Sequence, residues 1–103
     1  MARPQGWNSD LSAGVPWVNL RVTRVTLAAT ATLLPAVALL NRRGIWIFNT
    51  STVKLYFGSS AVDTSSPFLV PQVGNQPLPV TSDVLIYGLP ASGTPTIEVW
   101  EYA

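Results

Sequence analysis

The most regular pattern of apolar and polar positions lies between residues 42 and 58. Two runs rich in β-branched and aromatic residues, 45–48 and 53–57, flank the polar residues 49–52. Such runs around a polar set predict a β-hairpin with a loop longer than the tightest turns. Because side chains alternate between the two faces of a strand, one face of each run is predicted to enter the core. These core positions are Ile45, Ile47, Val53, Leu55 and Phe57.

The opposite faces of the same two runs carry Trp46 and Phe48, then Lys54 and Tyr56. A solvated strand face is normally polar, whereas this one is largely aromatic. We therefore expect it to be covered by a second layer, by the chain's own terminus or by another subunit.

The last strand is predicted over residues 96–102, and it repeats this two-faced pattern. Ile97 and Val99 are predicted to face the core. The other face carries Glu98, Trp100 and Tyr102, so large rings again point away from the core.

Residues 18–27 alternate well at first and then change phase. Arg24 takes the position at which the alternation calls for an apolar residue. A bulge or bend near residues 23–24 would explain the slip. The apolar residues are Val18, Leu20 and Val22 in the first phase, and Val25 and Leu27 in the second.

Further short apolar runs stand between turn residues, and this spacing predicts an all-β fold. We expect a small β-sandwich or jelly-roll-like barrel over residues 18–103, preceded by an extended N-terminal arm over residues 1–17. The remaining predicted elements are a strand at 27–33 with a turn at Pro35 and an extended piece to residue 40, an edge strand at 67–70, turns over 72–79, a strand at 84–87 and a loop over 89–95.

The apolar stretch 25–40 also has to be weighed as a membrane span. It is shorter than the roughly 20 apolar residues that a spanning helix needs. It holds three threonines and is interrupted by Pro35. We therefore expect strands here and no membrane partner.

The predicted arm carries two tryptophans, Trp7 and Trp17, among turn-forming residues such as Pro4, Gly6 and Gly14. A tryptophan in a flexible tail would have little meaning. Tryptophan is, however, enriched at the anchoring points of protein interfaces. We favour an arm whose aromatic rings dock on a neighbour.

Composition narrows the possible functions. Apolar residues make up 48% of the 103 residues and charged residues only 11%, against a usual charged share of roughly a quarter. So little charge favours a subunit that buries much of its surface in contacts with other proteins. The net charge of +1 provides no electrostatic footprint for nucleic acid.

Candidate chemistry is sparse. The chain has no Cys and no His, so it lacks the usual thiol nucleophile, the usual general base and a Cys/His zinc site. Its one lysine, Lys54, lies within a predicted strand. Glu98 and Glu101 are predicted on opposite faces of one strand, while Asp63 and Asp83 fall in turns. We predict no enzymatic activity, no cofactor and no resident metal.

Arg42 and Arg43 permit two interpretations. Adjacent arginines could pair with carboxylates of a partner subunit. Alternatively, they simply precede a strand, point to opposite faces, and one of them reaches water. For each arginine taken alone, the second interpretation is slightly favoured.

From residue 33 onward, the order of strands and turns resembles the small all-β virion proteins of tailed bacteriophages, a loose group of head decoration and other head- or fibre-associated modules. The resemblance covers about the last two thirds of the chain. Residues 1–32 have no counterpart in it, and Trp46 and Trp100 are bulkier than expected. The segments that carry it are 34–36, 41–43, 45–49, 53–58, 67–69, 85–88, 91–94 and 97–101.

The resemblance implies a virion structural protein, with capsid decoration or an accessory head role as the leading expectation. Its expected partners are other virion proteins, the major capsid protein foremost, and copies of itself. A fibre-associated module that binds a receptor or glycan through Trp46, Tyr56 and Trp100 is the alternative, and a head–tail connector piece is a third. The predicted interface residues are Trp7, Trp17, Arg42, Arg43, Trp46, Phe48, Tyr56, Trp100 and Tyr102.

Overall fold

A computed structural model describes residues 19–103 of the chain. This part is all-β and consists of two antiparallel four-stranded sheets without a helix. The predicted arm, with Trp7 and Trp17, lies outside the described residues. The strands are β1 (Leu20–Thr26), β2 (Thr32–Leu33), β3 (Gly44–Phe48), β4 (Leu55–Gly58), β5 (Phe68–Leu69), β6 (Asn75–Leu78), β7 (Tyr87–Pro90) and β8 (Thr96–Tyr102).

The first sheet has the order β1-β8-β3-β6 and the second the order β2-β7-β4-β5. Within the described part, the chain changes sheet at every connection except that between β4 and β5. A β-sandwich is the result, and its core lies between the two inner faces. The fully or largely buried core residues are Val25, Leu27, Leu34, Ile45, Ile47, Leu55, Leu69, Ile97 and Val99.

The predicted hairpin over residues 45–57 is wrong, although three of its core positions are right. β3 pairs with β8 and β6, whereas β4 pairs with β7 and β5 in the other sheet. Residues 49–54 therefore cross between the layers. Ile45, Ile47 and Leu55 are buried as predicted. Phe57 is partly buried against the core, and Val53 lies outside β4.

The crossing is stabilised by the buried side chain of Asn49. Its amide nitrogen donates to the carbonyl oxygens of Val53, Leu69 and Val70 at 2.8, 3.0 and 3.1 Å. Its amide oxygen accepts from the backbone and hydroxyl of Ser51. The polar residues that resemble a hairpin loop in sequence thus satisfy the backbone of a corner between sheets.

The predicted bulge at residues 23–24 is also wrong. β1 pairs with β8 in one unbroken register from Leu20↔Tyr102 to Thr26↔Thr96. Leu20, Val22 and Arg24 therefore share the outer face. The apparent change of phase in the apolar pattern of residues 18–27 is not caused by a bulge. Arg21 on the inner face forms an ion pair with buried Glu101, so a charged residue occupies an inward position without a slip.

Other boundaries move while the last strand matches its prediction. The strand predicted at 27–33 shrinks to β2, and β6 forms where only turns were expected. The strand predicted at 84–87 begins at Tyr87 and continues through the expected loop to Pro90. β5 lies at a sheet edge as predicted. β8 covers the predicted residues, with Ile97 and Val99 buried.

Candidate interaction surface

The outer face of the β1-β8-β3-β6 sheet carries a patch of large apolar side chains, and we call this patch the aromatic face. The antiparallel registers place Val22, Trp100 and Trp46 in one row across β1, β8 and β3. The next row brings Leu20 and Tyr102 beside Gly44. This face comprises Leu20, Val22, Trp46, Phe48, Trp100 and Tyr102.

Three of the rings pack as a continuous ladder. Trp46 and Phe48 stack with ring centroids 5.3 Å apart, and Phe48 lies 5.4 Å from Trp100 in a tilted arrangement. Contacts of this kind favour aromatic pairs beyond simple burial of area. The ladder nevertheless stays open to solvent, because Trp46 is 39% exposed and its neighbours are only half-buried.

Both indole N–H groups of the ladder already have partners. Trp46 Nε1 donates to Asn75 Oδ1 at 3.1 Å, and Trp100 Nε1 donates to Glu98 Oε1 at 3.2 Å. Because both indole N–H groups are already hydrogen-bonded, the ring surface that remains for a ligand or partner is apolar. Arg24 and Glu98 share a row with Phe48 and lie 3.9 Å apart as an ion pair in which Arg24 is largely exposed.

Tyr56 does not belong to the aromatic face. It lies on β4 in the other sheet, is 9% exposed, and packs edge-on against Phe68 with centroids 5.9 Å apart. The sequence grouped Tyr56 with Trp46 and Trp100 as a glycan platform. The structure does not bring these three rings together, since β3 and β4 lie in different sheets.

Arg42 is buried within the fold. Its Nη1 donates to Glu101 Oε2 at 3.0 Å, and its Nη2 donates to the carbonyls of Thr81 and Val84 at 2.9 and 2.7 Å. Its carboxylate partner is therefore in its own chain, and the guanidinium is withdrawn from any surface. Arg43, in contrast, is exposed.

Arg21 and Arg42 form an ion cluster around the buried carboxylate of Glu101, and the sequence did not predict it. Glu101 accepts from both arginines and from the backbone N–H of Leu39 at 2.8 Å. Arg21 also donates to the carbonyl of Val37. Strand alternation offered a signal, because Glu101 shares the inward parity of Ile97 and Val99, and a carboxylate in that position requires a cation.

Other chemistry is limited within residues 19–103. No group of three or more acidic side chains there is placed to hold a metal ion. None of the described elements is a helix long and apolar enough to cross a membrane. A pocket is lined by Arg24, Thr50, Thr96, Ile97 and Glu98.

No protein-family model, curated protein or solved structure matches the chain.

Proposed function

We propose that this protein is a structural subunit of a tailed-bacteriophage virion, a capsid decoration or accessory protein that attaches by burying apolar surface. The observation that carries the proposal is the aromatic face: Trp46, Phe48 and Trp100 pack as a ladder on the outer side of a sheet whose inner side already forms the core. An apolar outer face that stays open to solvent is typical of a protein-binding surface.

The low charge of the chain supports the same proposal, as does the resemblance of its strand and turn order to small phage virion proteins. Binding would draw on the area of the rings, at about 25 cal/mol per Å² of apolar surface removed from water. Repetition over a symmetric particle would then multiply a modest contact through avidity. The predicted arm, residues 1–17, is a second proposed point of attachment.

The test uses particles of the phage that encodes the chain, assembled without it and then incubated with purified protein. Trp46→Ser should lower occupancy on the particle because it removes the most exposed ring of the ladder. Phe68→Ser is the matched control, since Phe68 is 46% exposed on the other sheet. Equal occupancy for wild type and Trp46→Ser would contradict attachment through the aromatic face.

The arm is tested separately in the same assay. Deleting residues 1–16 should weaken incorporation while the sandwich still folds, as judged by its thermal unfolding. Full occupancy by the truncated protein would show that the arm is not an anchor. Counting copies per particle would separate a shell protein, present in hundreds of copies, from a vertex or tail protein.

A glycan-binding module is the second candidate, favoured by the pocket that Arg24, Thr50 and Glu98 help to line. Thr50, Thr96 and Glu98 offer hydrogen-bonding groups in this pocket, which suit the hydroxyl groups of a sugar. This candidate would be favoured over the first by two results together. The wild-type protein would bind on a glycan array and Glu98→Gln would not, while Trp46→Ser would occupy the particle as well as wild type does.

A further inference from the structure

The strand β1 has a long backbone edge that is open on one side. Within residues 19–103, β1 lies at the end of its sheet and pairs only with β8. Asn19 and Ala103 exchange both backbone hydrogen bonds, at 2.9 and 3.0 Å, so the odd-numbered residues of β1 bond to β8. The N–H and C=O groups of the even-numbered residues therefore point away from the sheet, where no described strand receives them. These residues are Leu20, Val22, Arg24 and Thr26.

The other sheet edges among the described residues are short or protected. β2 and β5 have two residues each. β6 carries Pro77, and its register with β3 turns the proline nitrogen, which has no hydrogen to donate, towards the open side. β1 has seven residues, no proline and an unbroken register with β8. A regular edge of this length is a template for one more strand.

The side chains along the β1 edge define the strand that fits it. On the outer face, Leu20 and Val22 are 43% and 47% exposed, so they can pack against further apolar groups. On the inner face, the Arg21 side chain is 38% exposed and shares the carboxylate of Glu101 with Arg42. Two guanidinium groups around one carboxylate leave a net positive charge. The edge therefore suits a strand with apolar residues on one face and a carboxylate opposite Arg21 on the other.

The segment of the chain directly before β1 meets both requirements. Trp7 and Leu11 have the same parity, whereas Asp10, the only acidic residue before β1, has the other. In the antiparallel register that sets Asp10 opposite Arg21, Leu11 lies opposite Leu20. Opposite charges and apolar side chains that face each other across two strands both stabilise the pairing.

The same register leaves residues 14–17 as the connection to β1. Gly14 and Pro16 in this connection are turn-forming residues, and four-residue loops are common in hairpins. Trp7 then lies opposite Arg24 on the outer face, where a guanidinium can pack on an indole ring. Charge, apolar pattern and turn chemistry therefore all agree on one register.

We infer that residues 5–13 add to the free edge of β1 in the same chain as an antiparallel strand, with residues 14–17 as the loop. The β1-β8-β3-β6 sheet then gains a fifth strand, and Trp7 and Leu11 extend the aromatic face beyond β1. The tether favours this segment over a free strand of another protein, because a short connection keeps its effective concentration high.

Amide hydrogen exchange of the full chain, followed by NMR, tests the inference. The N–H groups of Val22 and Arg24 point away from β8, so their protection requires another strand. Ser9→Pro should make both exchange about tenfold faster or more, because Ser9 lies opposite Val22 and its N–H points towards β1. Asn8→Pro is the matched control. The N–H of Asn8 points away from β1, where proline is tolerated, so protection should persist.

Two results of the exchange experiment overturn the inference. One is exchange of Val22 and Arg24 in the wild-type chain at the rate of an unstructured peptide. The other is equal protection in Ser9→Pro and Asn8→Pro. Protection that rises with protein concentration would assign the edge to a second copy and would also overturn the inference.

Disulfide formation provides a second test, because the chain has no cysteine of its own. Asn8→Cys combined with Thr23→Cys places two thiols directly opposite each other at a non-hydrogen-bonded pair, where the side chains are close enough for a disulfide. Ser9→Cys combined with Thr23→Cys is the matched control, since Ser9 lies on the other face. The first pair should form an intramolecular disulfide much faster than the second.

Equal rates for the two cysteine pairs would indicate an unpaired tail and overturn the inference, as would a disulfide that links two copies. Neither experiment contains a phage particle. Failure here would therefore leave the proposed attachment through the aromatic face intact, and failure of particle binding would leave the strand pairing intact.

Discussion

Arg42 and Glu101 form an ion pair inside the sandwich, with 3.0 Å between Nη1 and Oε2 and side chains that are 2% and 0% exposed. The pair joins the segment before β3 to the end of β8. Arg21 completes the cluster from β1. The carboxylate of Glu101 on β8 is therefore contacted from β1 on one side and from the segment before β3 on the other.

Glu101→Gln should destabilise the fold strongly. The change keeps the size of the side chain but leaves two guanidinium groups around a neutral amide, and removing one partner of a buried pair costs about 3–5 kcal/mol. The measurement is the free energy of unfolding in urea. Glu98→Gln is the control, because the Glu98 pair with Arg24 is exposed, and its loss should cost less than about 1 kcal/mol. Equal losses for the two variants would contradict a structural role for the cluster.

Asn49→Ala should also be costly, because three carbonyl oxygens lose their donor at the corner between β3 and β4. A buried polar group left without a partner costs about 1–3 kcal/mol, so we expect a loss at the upper end of that range. Asn75→Ala is the comparison in the same urea titration, since Asn75 is exposed and accepts one bond from Trp46. The prediction fails if Asn75→Ala destabilises the protein as much.

Gly44→Ala should disturb the edge of the aromatic face. A Cβ on Gly44 would overlap the ring and hydroxyl of Tyr102, its direct partner on β8. Tyr102 is only half-buried and its ring can move aside, so we expect a loss at the lower end of the about 1–3 kcal/mol that overpacking costs in a core. Gly58→Ala tests the same change on β4, where the nearest atom to the new Cβ is the Cβ of Val62 at 3.9 Å. This variant should therefore change the midpoint of thermal unfolding only slightly. Equal shifts of the unfolding midpoint in Gly44→Ala and Gly58→Ala would contradict the steric explanation.

The pKa of Asp63 should lie below its usual value of 3.8, because its carboxylate accepts from the hydroxyl of Ser65 at 2.6 Å and from the Ser65 backbone N–H. A lowered folded-state pKa means that this carboxylate stabilises the loop above its unfolded pKa, and the contribution disappears as the pH falls through the lower folded value. Ser65→Ala should move the NMR titration midpoint of Asp63 back towards 3.8. The midpoint of Asp83, which bonds Thr81 instead, should not move.

Much of the fold was predictable where alternation is strict and local. β8 matches its predicted bounds, and the inward positions of Ile45, Ile47, Ile97 and Val99 follow from a period of two. The outward aromatic residues of β3 and β8 follow from the same parity. Part of the candidate surface could therefore be deduced before its geometry was known.

Pairing between strands could not be deduced in the same way. Residues 49–52 satisfy the rules for a hairpin loop, yet the amide of Asn49 uses carbonyls from residues 53, 69 and 70 to stabilise a crossing between sheets. A short polar segment has local preferences for turns in general, and distant hydrogen-bond partners decide which strands it joins.

Alternation and turn chemistry act over a few residues, so they are sufficient to predict that this chain forms β-strands with apolar residues on both faces. The folded layers place β3 and β4 in different sheets, separate Tyr56 from Trp46, and turn Arg42 inward to Glu101. These outcomes depend on contacts between residues distant in the chain. Glu101 meets Arg42 across 59 positions of sequence, and only the folded layers bring the two charges together.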